Sequence, residues 1–240
     1  MPDTHTHWRT DRPADGFTTT ELGADPAQPV RTFLPDDYLP RYPYPLLVLF
    51  HPHGGNEERV LRLAPRLSRR NFVAIGLRGP ERLGDRADGS PACGWGGPAA
   101  DDLTDTLLRA VEQTRRTYHI HTERVFLVGV GDGAATAYRA AFALGDRVAG
   151  VATLNGTLPR ATDGAPLFRI DQVRRLRVLI AHGAGVPADR DHRVFYAAGA
   201  DVRRITYPTS RLCPEMLRDV NRWVINQVNA EHDLLVRVAR

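Results

Sequence analysis

Apolar residues in this chain fall into short unbroken runs separated by stretches of helical period. Residues 46–50 (LLVLF), 125–129 (VFLVG) and 178–181 (VLIA) are continuous apolar runs, as expected of strands buried on both faces. Residues 72–77, 148–154 and 202–207 read as further strands. Between them lie helical patterns at 57–70, at 132–144, in a segment ending at Gly199, and from Pro214 to the C-terminus. Leu103, Leu107, Val111 and Tyr118 share one helical face, with Pro98 placed as a first helical residue. Near the N-terminus, runs at 17–22 and 30–34 flank the turn signal GADPAQP and predict an antiparallel hairpin. Strands alternating with helices require crossover connections. The expectation is therefore an α/β fold: a doubly wound, mostly parallel eight-stranded sheet with helices on both faces. Residues 1–16 are polar and read as a flexible arm, 17–240 as a single domain, and 156–172 as a modest insert. In such sheets ligands bind beyond the carboxyl ends of the strands. The loops after Phe50, Leu77, Gly129, Leu154, Ala181 and Tyr207 are the places for chemistry.

Composition narrows this picture. No apolar run approaches the length of a membrane span, and the N-terminus lacks an apolar leader segment. Cys93 and Cys213 stand 120 positions apart, without metal-type spacing, and a reduced cytoplasmic pair is expected. All 32 basic residues are arginine and the formal charge is +4. The Arg pairs at 69–70, 115–116, 174–175 and 203–204 are scattered among acids with no aromatic platform, which argues against nucleic acid. His51-x-His53, even with His182 nearby, lacks a completing carboxylate or histidine, so no metal and no cofactor are expected.

The stretch RVFLVGVGDGAATAYRAA is a strand, a tight glycine turn and a helix. It fits the nucleophile-elbow pattern G-x-S-x-G at every position but the serine, where Gly131 stands. It also fits the dinucleotide pattern G-x-G-x-x-A through Gly129, Gly131 and Ala134. That reading expects the first strand–helix turn of the chain and an acid ending the next strand. Here the turn is deep in the chain, and the next strand ends in Leu154-Asn155.

In order along the chain, LLVLFHPHGGNEE, the glycine turn with DRVAGVATLNG, RVLIAHG and AGADVRRITYPTSRLCPEM resemble the phospholipase/carboxylesterase group of α/β hydrolases. The resemblance spans about residues 30–228 and implies the α/β-hydrolase fold. It also implies where a Ser-Asp-His triad would sit, and none of the three residue types is found there. The serine position is Gly131, the acid loop is shortened around Val186, and the histidine position falls on Arg211. In the oxyanion-type loop His51-Pro52-His53-Gly54, Pro52 replaces a glycine, leaving the backbone at His53 and at Asp132 as donors.

Substitutes are few. The three serines are Ser68, Ser90 and Ser210, and none lies on an elbow. Asp132 could attack as a carboxylate only with a shifted elbow and a histidine, and reads more simply as a helix cap. Asp189 and Asp191 read as a helix first turn. The resulting expectation is a non-catalytic hydrolase homologue, a binding, scaffold or assembly protein with a possible protein partner or homo-oligomer. Its vestigial pocket, near His51, His53, Gly54, Trp95 and Asp132, would suit a small carbonyl or anionic ligand. The alternatives are an active esterase using Asp132 and a nucleotide site at the glycine turn.

Overall fold

The computed structural model describes residues 8–22, 25–96, 103–159 and 167–238, with side chains at all but 25–27 and 231–238. The chain order begins β1 (Phe17–Leu22), β2 (Asp25–Phe33), β3 (Tyr44–Phe50), α1 (Glu57–Leu61), α2 (Ala64–Leu67) and β4 (Val73–Leu77). A hairpin follows, β5 (Glu81–Asp85) and β6 (Pro91–Gly94), and then α3 (Leu103–Thr117), β7 (Ile120–Val130) and α4 (Gly133–Leu144). The remainder is β8 (Gly150–Leu154), α5 (Ile170–Val173), β9 (Arg177–Gly183), α6 (Asp189–Ala197), β10 (Asp201–Tyr207) and α7 (Pro214–Val238).

Eight strands form one sheet in the order β1-β2-β4-β3-β7-β8-β9-β10. β2 runs antiparallel to β1 and β4, and every later pairing is parallel. The expected hairpin is present in register Phe17↔Phe33. Every residue of β3 is buried, as its central place demands. Its side chains alternate, and that alternation builds two cores. Leu46, Val48 and Phe50 face one side with Leu107 and Val111 of α3, Ala137 and Tyr138 of α4, and Phe195 of α6. Leu47 and Leu49 face the other with Val60 and Leu61 of α1, Leu67 of α2, and Met216, Val220 and Trp223 of α7. Trp223 is buried edge-on against Phe126, so the C-terminal helix turns its tryptophan inward.

Three local expectations needed revision. The helix expected over 57–70 is two short pieces, because Pro65 lacks the N–H that would continue the first. The long loop after β4 contains the β5–β6 hairpin, turned at Asp88-Gly89 with Gly89 at φ +77°. The segment read as an arm is, from Trp8 onward, laid against the domain. Trp8 stacks on His119 at 3.8 Å and donates to the Arg115 carbonyl, and Arg12 pairs with Asp36. Pro98 lies outside the described residues.

Several arginines meet acids close by. Arg69 and Arg70 pair with Asp36 and Asp37, Arg116 with Glu112, and Arg204 with Asp189. Among the described residues no helix is long and apolar enough to cross a membrane.

The sheet and α4 meet where side chains are absent. A Cβ on Gly129 would lie 2.5 Å from the Ala134 Cα, and one on Gly133 would lie 2.5 Å from the carbonyl oxygens of Phe50 and His51. Those neighbours are backbone and cannot swing aside. Gly129→Ala or Gly133→Ala is expected to lower unfolding free energy by about 1–3 kcal/mol, as overpacked core positions do. Urea denaturation measures it; midpoints equal to that of the unaltered protein would refute the packing argument.

Candidate functional site at the turn between β7 and α4

The second half of β7, from Val125 to Val130, is an apolar buried run fixed between β3 and β8, and the strand stops just before Gly131. Gly131 has φ +55°, in the left-handed region that residues with a Cβ avoid. Its N–H donates to the Leu154 carbonyl and its carbonyl accepts from Ala134, so the chain reverses within a few residues. This is elbow geometry, and the apex residue has no side chain. Pro52 faces it: a Cβ on Gly131 would lie 3.2 Å from the Pro52 Cβ.

Asp132 follows with φ −64° and ψ −23°, and its side chain makes no capping hydrogen bond. The expected cap is therefore absent. A capping residue needs extended backbone to bring its oxygen back to the helix N–H groups, and Asp132 is already helical. Its carboxylate is exposed instead. Among the described residues, the backbone N–H groups of Asp132 and His53 donate to no partner. The partial positive charge of the twelve-residue α4 therefore begins at an open N-terminus.

The loop after β3 is held by contacts that reveal the use of its histidines. The buried His51 ring accepts from the Gly79 N–H through Nε2 at 2.9 Å and faces the Pro52 carbonyl through Nδ1 at 2.9 Å. With Nε2 accepting, Nδ1 carries the proton and donates. Burial lowers the His51 pKa, which keeps the ring neutral. Trp95 lies tilted against the same ring, centroids 4.6 Å apart, and donates its indole N–H to the His51 carbonyl. His51 and Trp95 therefore brace the loop. His53 is exposed, and Gly54 donates to the carbonyl of Cys93. The β5–β6 hairpin, bridged Gly55↔Cys93, thus anchors the loop from the side. Its Asp-Gly turn was the sequence signal that could have located it.

The loops that would carry an acid and a histidine are placed as follows. Val186 is half-buried in the short turn between β9 and α6, where the Val186 N–H donates to the Gly183 carbonyl. Arg211 is exposed, and its N–H donates to the Thr209 hydroxyl. Asn155, at φ +54°, ties these loops together: its amide donates to the Ser210 carbonyl and accepts from the Gly183 N–H at 2.7 Å. An amide engaged at both ends is not free to hold a ribose, and no carboxylate ends β8. His182 is buried, its Nε2 3.0 Å from the Thr206 hydroxyl. Ser68 caps a turn, Ser90 binds Asp88, and burial pushes the Cys93 thiol up.

A cleft of about 870 Å³ opens beyond the strand ends. It is lined by Gly131, Asp132 and Ala135, by Asn155, Gly156, Thr157, Leu158 and Pro159, and by Pro187, Arg190 and Asp191. Of the residues expected at a pocket, Gly131 and Asp132 line it, whereas His51, His53, Gly54, Trp95, Val186 and Arg211 do not. Sequence reading passed over Asp191 as a helix first-turn acid. It is fully buried, and its Oδ2 accepts from the Leu158 N–H at 2.6 Å. Its Oδ1 has no hydrogen-bond partner among the described residues.

No protein-family model and no curated protein sequence matches the chain. Solved structures do. A carboxylesterase from Mesorhizobium loti superposes with a TM-score of 0.62 at 18% identity, over 88% of this chain and 99% of that one. An esterase from Rhizomucor miehei gives 0.67 at 14% identity, over 90% and 83%. A carboxylesterase from Bacillus cereus gives 0.55 at 20%, over 77% and 89%. The shared property at these identities is the fold.

Burial raises the Asp191 pKa above the usual carboxylate range, against the smaller opposing effects of the Leu158 N–H and of Arg190. Tyr138 of α4 also feels its charge. A raised folded-state pKa means the folded protein holds this proton more tightly than the unfolded chain. Its stabilising effect is full below the ordinary aspartate range and is lost as pH rises through the raised value. Asp191→Asn is expected to flatten that part of the stability–pH curve and to raise the melting temperature at neutral pH relative to the parent. Parallel curves for the two proteins would overturn this account.

Proposed function

Starting from an α/β-hydrolase fold, we propose that this chain is a non-hydrolysing binding protein, working alone or as the scaffold or assembly subunit of a complex. Its cleft over the α4 N-terminus holds a small ligand through a carbonyl or anionic oxygen. One observation carries the reading: the elbow presents Gly131 at its apex, facing Pro52, with no side-chain nucleophile. The lining of the cleft agrees with it. Thr157 supplies the sole hydroxyl among the described lining residues, and no histidine or cysteine stands with it. What survives is the part of an ester-cleaving site that binds oxygen, namely free backbone donors at a helix start.

A second reading rests on Asp132. Asp132 lines the cleft, exposed and uncapped, and its carboxylate could displace the leaving group from an alkyl carbon, the carbon–leaving-group bond breaking as an ester with the protein forms. Releasing that ester requires water activated by a base, and among the described residues no histidine lines the cleft. This weighs against turnover.

The test is hydrolysis of p-nitrophenyl acetate and butyrate by the purified full chain. The expected rate matches that of an inert protein, and Gly131→Ser leaves it unchanged, since a serine there has no histidine to activate it. Turnover sustained over many equivalents would overturn the proposal. Loss of that turnover in Asp132→Asn would place Asp132 in the reaction.

A further inference from the structure

β10 closes one end of the sheet, and among the described residues no strand lies on its outer side. Its ladder with β9 is parallel, from Asp201↔Arg177 to Tyr207↔Gly183. The Asp201 N–H donates to the Leu176 carbonyl and the Tyr207 carbonyl accepts from Ala184, so both ends of β10 are spent on the β9 side. In a parallel pair, alternate residues turn their N–H and C=O groups to the same neighbour. Asp201, Arg203, Ile205 and Tyr207 therefore face β9 with their backbone groups, and Val202, Arg204 and Thr206 turn theirs outward.

The positive charge of the chain gathers at this edge. Residues 169–211, which run from α5 to the turn after β10, hold nine arginines and four acids, whereas the rest of the chain holds 23 and 24. Of those four acids, Asp191 is buried and Asp189 already pairs with Arg204. Arg203 shares a face of β10 with Ile205 and Tyr207, which pack on the α7 side, while Arg204 lies on the α6 side. Exposed arginines thus flank the edge on both faces. Arg193 and Arg203 have no ion pair among the described residues. Asp189, Arg193 and the exposed Tyr196 recur at helical spacing on one face of α6, the face that reaches Arg204.

We propose that β10 is a docking edge for an extended acidic segment of a partner protein, which adds to the sheet as a strand and pairs with Val202, Arg204 and Thr206. The inference names a class of partner for the assembly role above and stands apart from the cleft. Backbone hydrogen bonds align such a segment, and its carboxylates meet Arg203 on one face and Arg193 and Arg204 on the other. A second copy of the chain is the wrong occupant. Two β10 strands side by side would set arginines against arginines, the repulsion by which free edges avoid pairing with themselves. A nucleic acid would meet the charges but offers no ladder of amides to the outward carbonyls.

The experiment titrates the full chain at low ionic strength with the end-capped peptide TEVEVET, its lysine counterpart TKVKVKT, and tetrathymidylate, which matches the acidic peptide in charge. Amide hydrogen exchange is followed residue by residue by NMR. The acidic peptide is expected to bind about tenfold or more tightly than the lysine peptide. At saturation it should slow exchange at Val202, Arg204 and Thr206 by about tenfold or more, with little change at Arg203, whose N–H is already bonded to β9. Joint replacement Arg193→Glu and Arg203→Glu, both at exposed positions, should bring the two peptides together. Equal binding of the two peptides by the unaltered protein, or binding of neither at millimolar concentration, overturns the proposal. Binding that leaves the three outward amides unchanged overturns it as well, by moving the site off the edge. Tetrathymidylate bound as tightly as the acidic peptide would make the surface a polyanion site. The three amides already protected in a dimer of the free chain would make a second copy the occupant, and either result overturns the proposal. None of these outcomes bears on the cleft, whose own test is ester hydrolysis.

Discussion

The architecture of the site depends on how closely the backbone of β7 and its turn can approach neighbouring backbone. Gly129 lies against Ala134, and Gly133 against the carbonyls that end β3. A Cβ on Gly156 would come within 2.3 Å of the Gly131 carbonyl. Each of these contacts is possible only where no Cβ intervenes. Together they hold the start of α4 at the point where the strand order diverges between β3 and β7, the place where open sheets of this kind receive ligands. The same crowding explains the sharp turn at Gly131, with its positive φ and its N–H on Leu154. Close packing here fixes a backbone shape independently of any reaction.

Around that fixed turn, the surrounding loops are held by contacts unrelated to acid–base catalysis. The His51 ring is locked between the Gly79 N–H and Trp95, and Asn155 joins the ends of β8, β9 and β10 through its amide. Arg211 stays at the surface and does not line the cleft. At the α4 start the Asp132 N–H has no partner among the described residues, and on α6 the Asp191 carboxyl is buried with one oxygen unmet.

Much of the fold was legible in the sequence because the two periodicities are strong. The runs at 46–50, 125–129 and 178–181 all became fully buried stretches of strand, and the hairpin ahead of them formed, although β2 begins at Asp25, inside the stretch read as its turn. The β5–β6 hairpin escaped notice because its first strand, ERLGD, is half-buried to exposed and carries no apolar alternation. Asp132 was misjudged as a cap because the residue type suits capping while the turn places it in helical backbone. Asp191 was passed over for a similar reason: an acid in a first helical turn normally faces water, and burial is a property of the neighbours.

The sequence alone determined the eight strands, the glycine turn and the residue types at the elbow, the acid loop and the histidine loop. These follow from local rules: side-chain period, the conformational freedom of glycine, and the identity of each residue. Only the tertiary structure decided which of those residues share a cleft. It placed Trp95 and His51 in a brace, left Arg211 at the surface, and buried Asp191 beside the cleft that Gly131 lines. Residues distant in the chain meet through the stacking of loops over strand ends, and no local pattern records that distance.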